Sequence, residues 1–181
     1  MEPGSVCWIT GLSGAGKTTI AQIMFQKIQA QGTAVIWLDG DILREAFGGD
    51  LGYSYEDRNQ CAFRYAKLCK IFSEQGLIVI CSTISMFDNV REWNAHHIKK
   101  YFEVYLKVDL DVLKLQNNKQ LYDDKDGSVV WEWVEYEEPK NPDMIILNRD
   151  SLGREQLADK VLNGFLYKFQ INKSLRGDCN E

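Results

Sequence analysis

Three observations in this 181-residue sequence predict an α/β fold, a parallel sheet covered by helices on both faces. An apolar run at residues 6–10 breaks into a glycine-rich loop that leads straight into an amphipathic pattern. Short apolar runs then alternate with helical patterns along the rest of the chain. One of those runs, LIVIC at residues 77–81, is apolar throughout, as a strand buried on both faces must be. Such alternation builds right-handed βαβ units, whose binding crevice lies beyond the carboxyl ends of the strands.

Each element has its own signal. After the strand at 6–10, Ile20, Ile23, Met24 and Ile28 recur at helical spacing over residues 18–31, and Gly32 ends the pattern. Residues 34–38 form a second strand, closed by Asp39-Gly40-Asp41. A longer helix over residues 56–75 carries Ala62, Phe63, Ala66, Leu68, Cys69 and Phe72 and stops at Gly76. The strand at 77–81 follows, then a helix over 90–100, a strand over 102–108 and a short helix over 111–116. Residues 144–147 supply the fifth strand, and 154–169 a closing helix with Leu157, Val161, Leu162 and Phe165 on one face. Residues 117–143 fit no regular pattern and are too long for an idle connection, so this segment, with Tyr122, Trp131, Trp133 and Tyr136, reads as a lid. The polar tail from Asn172 is expected to fray. No repeat or break in composition divides the chain, so residues 1–181 read as one domain.

The loop SVCWITGLSGAGKTT at residues 5–19 fits G-x-x-x-x-G-K-[ST], with Gly11, Gly16, Lys17 and Thr18 at the fixed positions. Glycines let successive backbone N–H groups turn inward onto a polyphosphate seated at a helix N-terminus. The expected ligand is ATP with Mg²⁺, held by Gly11, Ser13, Gly14, Ala15, Gly16, Lys17, Thr18 and Thr19. Lys17 reaches the β and γ phosphates, and the Thr18 hydroxyl ligates the metal. No Asp ends the strand at 77–81, where a metal-binding carboxylate is usual in such proteins. Asp39 and Asp41 are the carboxylates left to serve the metal and an acceptor hydroxyl, and the pattern does not say which does which. There is no N-K-x-D to read guanine.

Charge and composition narrow the partners. A net charge of -5 with no lysine and arginine stripe argues against a nucleic-acid surface, so the partners are expected to be small molecules. Cys7, Cys61, Cys69, Cys81 and Cys179 include no C-x-x-C pair and fall mostly in apolar patterns, the usage of a reducing compartment. With no signal-peptide pattern and no apolar stretch near membrane-spanning length, a cytoplasmic protein without membrane contact is expected. His96 and His97 are adjacent on a helix, point about 100° apart and cannot chelate one metal there. Arg91, just beyond the loop at 84–87, is a further candidate for the crevice.

Four blocks in order, GLSGAGKTT (11–19), LDGDILR (38–44), DLGYSYEDR (50–58) and YEEPKNPD (136–143), together resemble adenylyl-sulfate kinase. The resemblance covers most of the chain and implies a nucleotide-kinase-like P-loop fold, a three-layer sandwich around a parallel five-stranded sheet with a lid. It implies ATP-dependent phosphorylation of the 3′-hydroxyl of a 5′-nucleotide whose terminal group is sulfate, and a homodimer. Carried over by position, Asp39 and Asp41 handle metal and acceptor hydroxyl, and Arg44 and Arg58 grip the acceptor's phosphosulfate. Tyr53 stands where the family has a Phe against the acceptor base. Lys119, Leu121 and Tyr122 match the family's K-G-L-Y with Gln120 for the Gly, and Lys119 or Lys125 neutralises the transferring phosphoryl group.

Departures gather on the acceptor side. Where the family reads x-E-N-I-R-R after D-R, residues 59–64 read NQCAFR and keep only Arg64. The family's I-S-P-Y appears as Ile84-Ser85-Met86-Phe87, and the lid is short and acidic. That profile fits a changed acceptor and also resembles cytidine diphosphoramidate kinase of capsule biosynthesis. Two other classes remain on the same fold, a small-metabolite kinase and a nucleotide-binding switch without acceptor. The planar, anionic acceptor suited to Tyr53, Arg58 and Arg64 favours the nucleotide kinases.

Overall fold

The computed structural model describes residues 2–108, 136–147 and 152–171. The expected helix at 111–116, the lid up to residue 135 with Lys119, Leu121, Tyr122, Lys125, Trp131 and Trp133, and the tail from Asn172 lie outside the described residues. Within them the chain runs β1 (Ser5–Thr10), α1 (Lys17–Gln29), β2 (Val35–Asp39), α2 (Gly40–Ala46), α3 (Tyr55–Glu74) and β3 (Ile78–Thr83). It continues through α4 (Asp88–His97), β4 (Tyr101–Lys107), β5 (Met144–Leu147) and α5 (Arg154–Phe169). The five strands lie in the order β2-β3-β1-β4-β5, and every pairing is parallel.

Alternation along the buried strands divides the core into two layers. Cys7 and Ile9 of β1 and Ile78 and Ile80 of β3 pack with Ile20, Met24, Ile28, Val161 and Phe165 from α1 and α5. Val6, Trp8, Val79 and Cys81 face the other way, onto Ala62, Tyr65, Cys69 and Val90 from α3 and α4. Cys7 and Cys81 therefore sit on adjacent strands but on opposite faces of the sheet, and burial pushes both thiols upward in pKa. They act as small hydrophobes. Because β1 has β3 on one side and β4 on the other, the connections diverge above its carboxyl end, and a crevice opens there.

One helix escaped the sequence reading. Asp39-Gly40-Asp41 is expected only to close the strand at 34–38, yet it opens α2, with the Asp39 carboxylate accepting the Asp41 N–H at 3.1 Å as an N-cap. Gly40 obscured the signal, and it is there for space. A Cβ at that position would lie 2.9 Å from Thr83 Oγ1.

Arg91 does not reach the crevice. It is buried under α4, bonded to Asp88 and with Nε 3.4 Å from a Glu103 carboxylate oxygen. Burial raises the Glu103 pKa from 4.5 to about 7 against the pull of Arg91. Between those values the folded chain holds a proton that the unfolded chain has released, so this group's contribution to stability is lost as pH rises through that window. Glu103→Gln should flatten that part of the pH–stability curve, which urea midpoints at pH 5 and pH 8 will read.

Candidate active site

The phosphate loop takes the backbone shape its glycines permit. Gly11, Gly14 and Gly16 have φ of 151°, 75° and 91°, and Gly16 N-caps α1. A Cβ on Gly11 would come within 2.5 Å of the Leu106 carbonyl oxygen, so the loop lies against β4. Lys17, the first residue of α1, is buried, and its Nζ donates to the Leu12 carbonyl at 2.8 Å. Burial lowers its pKa from 10.5 to about 8, while Asp41 and Asp39 pull the other way. A bound polyphosphate restores the charge. Hence kcat/KM for ATP should fall above about pH 8 while kcat at saturation stays flat to higher pH, as rate profiles from pH 6.5 to 9.5 will show.

Asp39 ends β2 opposite Ser82 of β3 and is fastened on both carboxylate oxygens. Oδ2 accepts from the Thr18 hydroxyl at 3.0 Å and from the Ser82 hydroxyl at 2.8 Å, while Oδ1 takes the Asp41 N–H. Ser82 Oγ in turn accepts from Trp37 Nε1 at 3.0 Å. The carboxylate absent from the end of β3 is thus replaced by a serine that orients one from the neighbouring strand.

A crevice of about 540 Å³ joins these parts. Ser13, Gly14, Gly16, Lys17, Thr18 and Thr19 line it from the phosphate loop, and Asp41, Arg44, Tyr53, Arg58, Ile84 and Ser85 line it from the expected acceptor half. Arg44 is held by the Leu51 and Gly52 carbonyls at 3.0 and 2.7 Å, with its guanidinium 4.6 Å from the Tyr53 ring centroid. Arg58 lies 5.6 Å over the Phe87 ring, and Phe87 meets Tyr55 edge-on at 5.1 Å. Burial lowers the Arg58 pKa, and its Nε is buried without a protein partner among the described residues.

Other expected residues lie elsewhere. Gly11 and Ala15 are buried within the loop, and Asp39 sits behind Thr18 rather than on the lining. Arg64 makes two bonds of 2.7 Å with Asp50 and does not line the crevice. His96 and His97 are exposed, each against a carbonyl four residues back, with His97 stacked on Trp93. Lys119 and Leu121 are outside the described residues.

Sequence reasoning missed Arg154, whose Nη1 donates to Thr19 Oγ1 at 3.1 Å and which lines the crevice beside the phosphate loop. It also missed Tyr65, whose hydroxyl donates to the Gly40 carbonyl at 3.0 Å. Both belong to helices read only for their apolar faces, and no local motif marks either. The phosphate loop, Asp41 and the arginine end therefore open into one space, as transfer between two bound substrates requires.

The family model for adenylylsulphate kinase matches residues 3–147, which span the loop, both aspartates and the arginine end. The chain belongs to the adenylylsulphate kinase family. It is thus a phosphotransferase of that family. It is 37% identical over 167 residues to an adenylyl-sulfate kinase of Bacillus velezensis, covering 88% of this chain and 83% of that one. It is 36% identical over 160 residues to a cytidine diphosphoramidate kinase of Campylobacter jejuni subsp. jejuni serotype O:2, covering 86% and 91%. The fold superposes on the Mycobacterium tuberculosis APS kinase CysC in complex with AMPPNP and APS with a TM-score of 0.79 and 27% identity, covering 91% of this chain and 98% of that one. No helix among the described residues is long and apolar enough to cross a membrane.

Proposed function

We propose that this adenylylsulphate kinase family member transfers the γ-phosphoryl group of ATP to the 3′-hydroxyl of a 5′-nucleotide, adenylyl sulfate or an acceptor built like it. The single crevice joining the phosphate loop to Asp41, Arg44 and Arg58 carries this reading. The triphosphate lies on residues 13–19 with Lys17 against its β and γ groups, and Arg154 beside Thr19 serves the same donor. Asp41 is exposed on the crevice lining and orients the acceptor hydroxyl, whereas Asp39 is buried and bonded to Thr18. Arg44 and Arg58 take the acceptor's two tetrahedral groups, and Tyr53 its base. In-line transfer needs no phosphoenzyme.

The Thr18 hydroxyl and the Asp39 carboxylate, 3.0 Å apart, are the hard oxygen donors that Mg²⁺ accepts alongside substrate phosphates. The ion, when bound, neutralises charge on the phosphates. The chain's part is to hold Thr18 in place, through an Asp39 that Ser82 and the Asp41 N–H fix in turn.

A second acceptor, cytidine diphosphoramidate, is supported by the Campylobacter relative and by residues 59–63, which depart from the family pattern just where Cys61 lines the crevice. Both acceptors need the same arginines and differ at the base. The 3′-deoxy form of whichever acceptor turns over should bind as a competitive inhibitor and yield no product; phosphorylation of that analogue would refute 3′ transfer. Arg58→Ala should raise the acceptor KM about tenfold or more with little change in the ATP KM, because a charge-assisted contact of roughly 1.5–3 kcal/mol is lost. An unchanged acceptor KM would displace the acceptor from this end of the crevice.

A further inference from the structure

Residue 137 clasps the loop that carries Phe87 from both sides. The Glu137 backbone N–H donates to the Met86 carbonyl at 2.9 Å, and the Glu137 carboxylate accepts the Asp88 N–H. Phe87, the residue between, is the N-cap of α4 and offers no side-chain cap of its own. A carboxylate 49 positions along the chain thus fills the capping role, where an anion also suits the helix dipole. Asp88 is braced further by the buried Arg91 and by Lys140 at 2.7 Å.

The clasp bears on the crevice through Phe87. That ring is buried, is met edge-on by Tyr55, and lies under the Arg58 guanidinium. The Arg58 Nε finds no protein partner among the described residues, and the face of Phe87 packs against its guanidinium. Ile84 and Ser85, immediately upstream in the same loop, line the crevice as well. We infer that Glu137 is a positioning residue for acceptor binding, acting on Arg58 through the backbone of residues 86–88 and the ring of Phe87. This rests on reading the arginine end of the crevice as the acceptor end.

Kinetics of variants test it. Glu137→Ala should raise the acceptor KM roughly five- to tenfold and leave the ATP KM in place, because misplacing a binding group costs the substrate it holds. Glu137→Gln keeps an oxygen that can accept the Asp88 N–H and should recover most of the loss. Glu138→Ala cuts the neighbouring 2.8 Å contact with Lys107, which ties the same segment to β4, and should change neither constant. In the Arg58→Ala background, Glu137→Ala should add little, since the group it positions is gone. An equal penalty with and without Arg58, or parallel rises in both KM values, would overturn the inference. If Arg58→Ala itself leaves the acceptor KM unchanged, the acceptor reading fails. If Arg58→Ala raises it and Glu137→Ala does not, the clasp alone fails.

Discussion

Lys17→Ala should lower kcat about a thousandfold, the scale on which enzymes lose rate when a preorganised charge at the transferring group is removed. Among the described residues, Lys17 is the cation of the phosphate loop itself, and Arg154 reaches that loop only at Thr19. Burial makes the lysine effective, because a charge shielded from water acts on the phosphates without much screening. The same burial, which lowers its pKa to about 8, makes the charged form a cost to folding. The melting temperature of the variant should therefore hold or change by only a few degrees. A large loss of turnover with an intact melting transition is the expected pair of results. A variant that turns over within tenfold of the parent would remove Lys17 from the chemistry.

The aspartates should separate by substitution. Asp41→Asn removes the carboxylate that faces the crevice and should lower kcat by about two to four orders of magnitude, with both KM values nearly unchanged. Asp39→Asn leaves the crevice lining intact but weakens the group that holds Thr18, and should raise the Mg²⁺ concentration for half-maximal rate about ten- to a hundredfold. Titrations of rate against Mg²⁺ for both variants give the answer. Exchange of the two phenotypes would assign the hydroxyl to Asp39 instead, an alternative that the pattern D-G-D leaves open.

Most of this layout was legible because the signals are local. A phosphate loop is set by residue types at fixed spacing, and β1, β5 and α5 differ from their apolar patterns by a residue at most or not at all. Asp39 and Asp41 were found by their place after a strand. Which of the two faces the crevice has no such mark, since it depends on Ser82 and Thr18 reaching Asp39 across three elements. Helix α2 was hidden by Gly40, which is required by contact with Thr83 and says nothing of local propensity. Arg154 and Glu137 make contacts 135 and 49 residues away, a range at which a single sequence carries no periodic trace. Arg64 illustrates the converse: it is the residue kept from the family's x-E-N-I-R-R pattern and is expected with the acceptor, whereas in the structure it pairs with Asp50.

The most direct test of the account is ADP release from Mg-ATP, followed with and without adenylyl sulfate or cytidine diphosphoramidate at matched concentrations. Release should be slow alone and strongly stimulated by one of these nucleotides, with Arg58→Ala shifting the acceptor dependence. Stimulation by neither, with ATP hydrolysed at the same rate throughout, would contradict it.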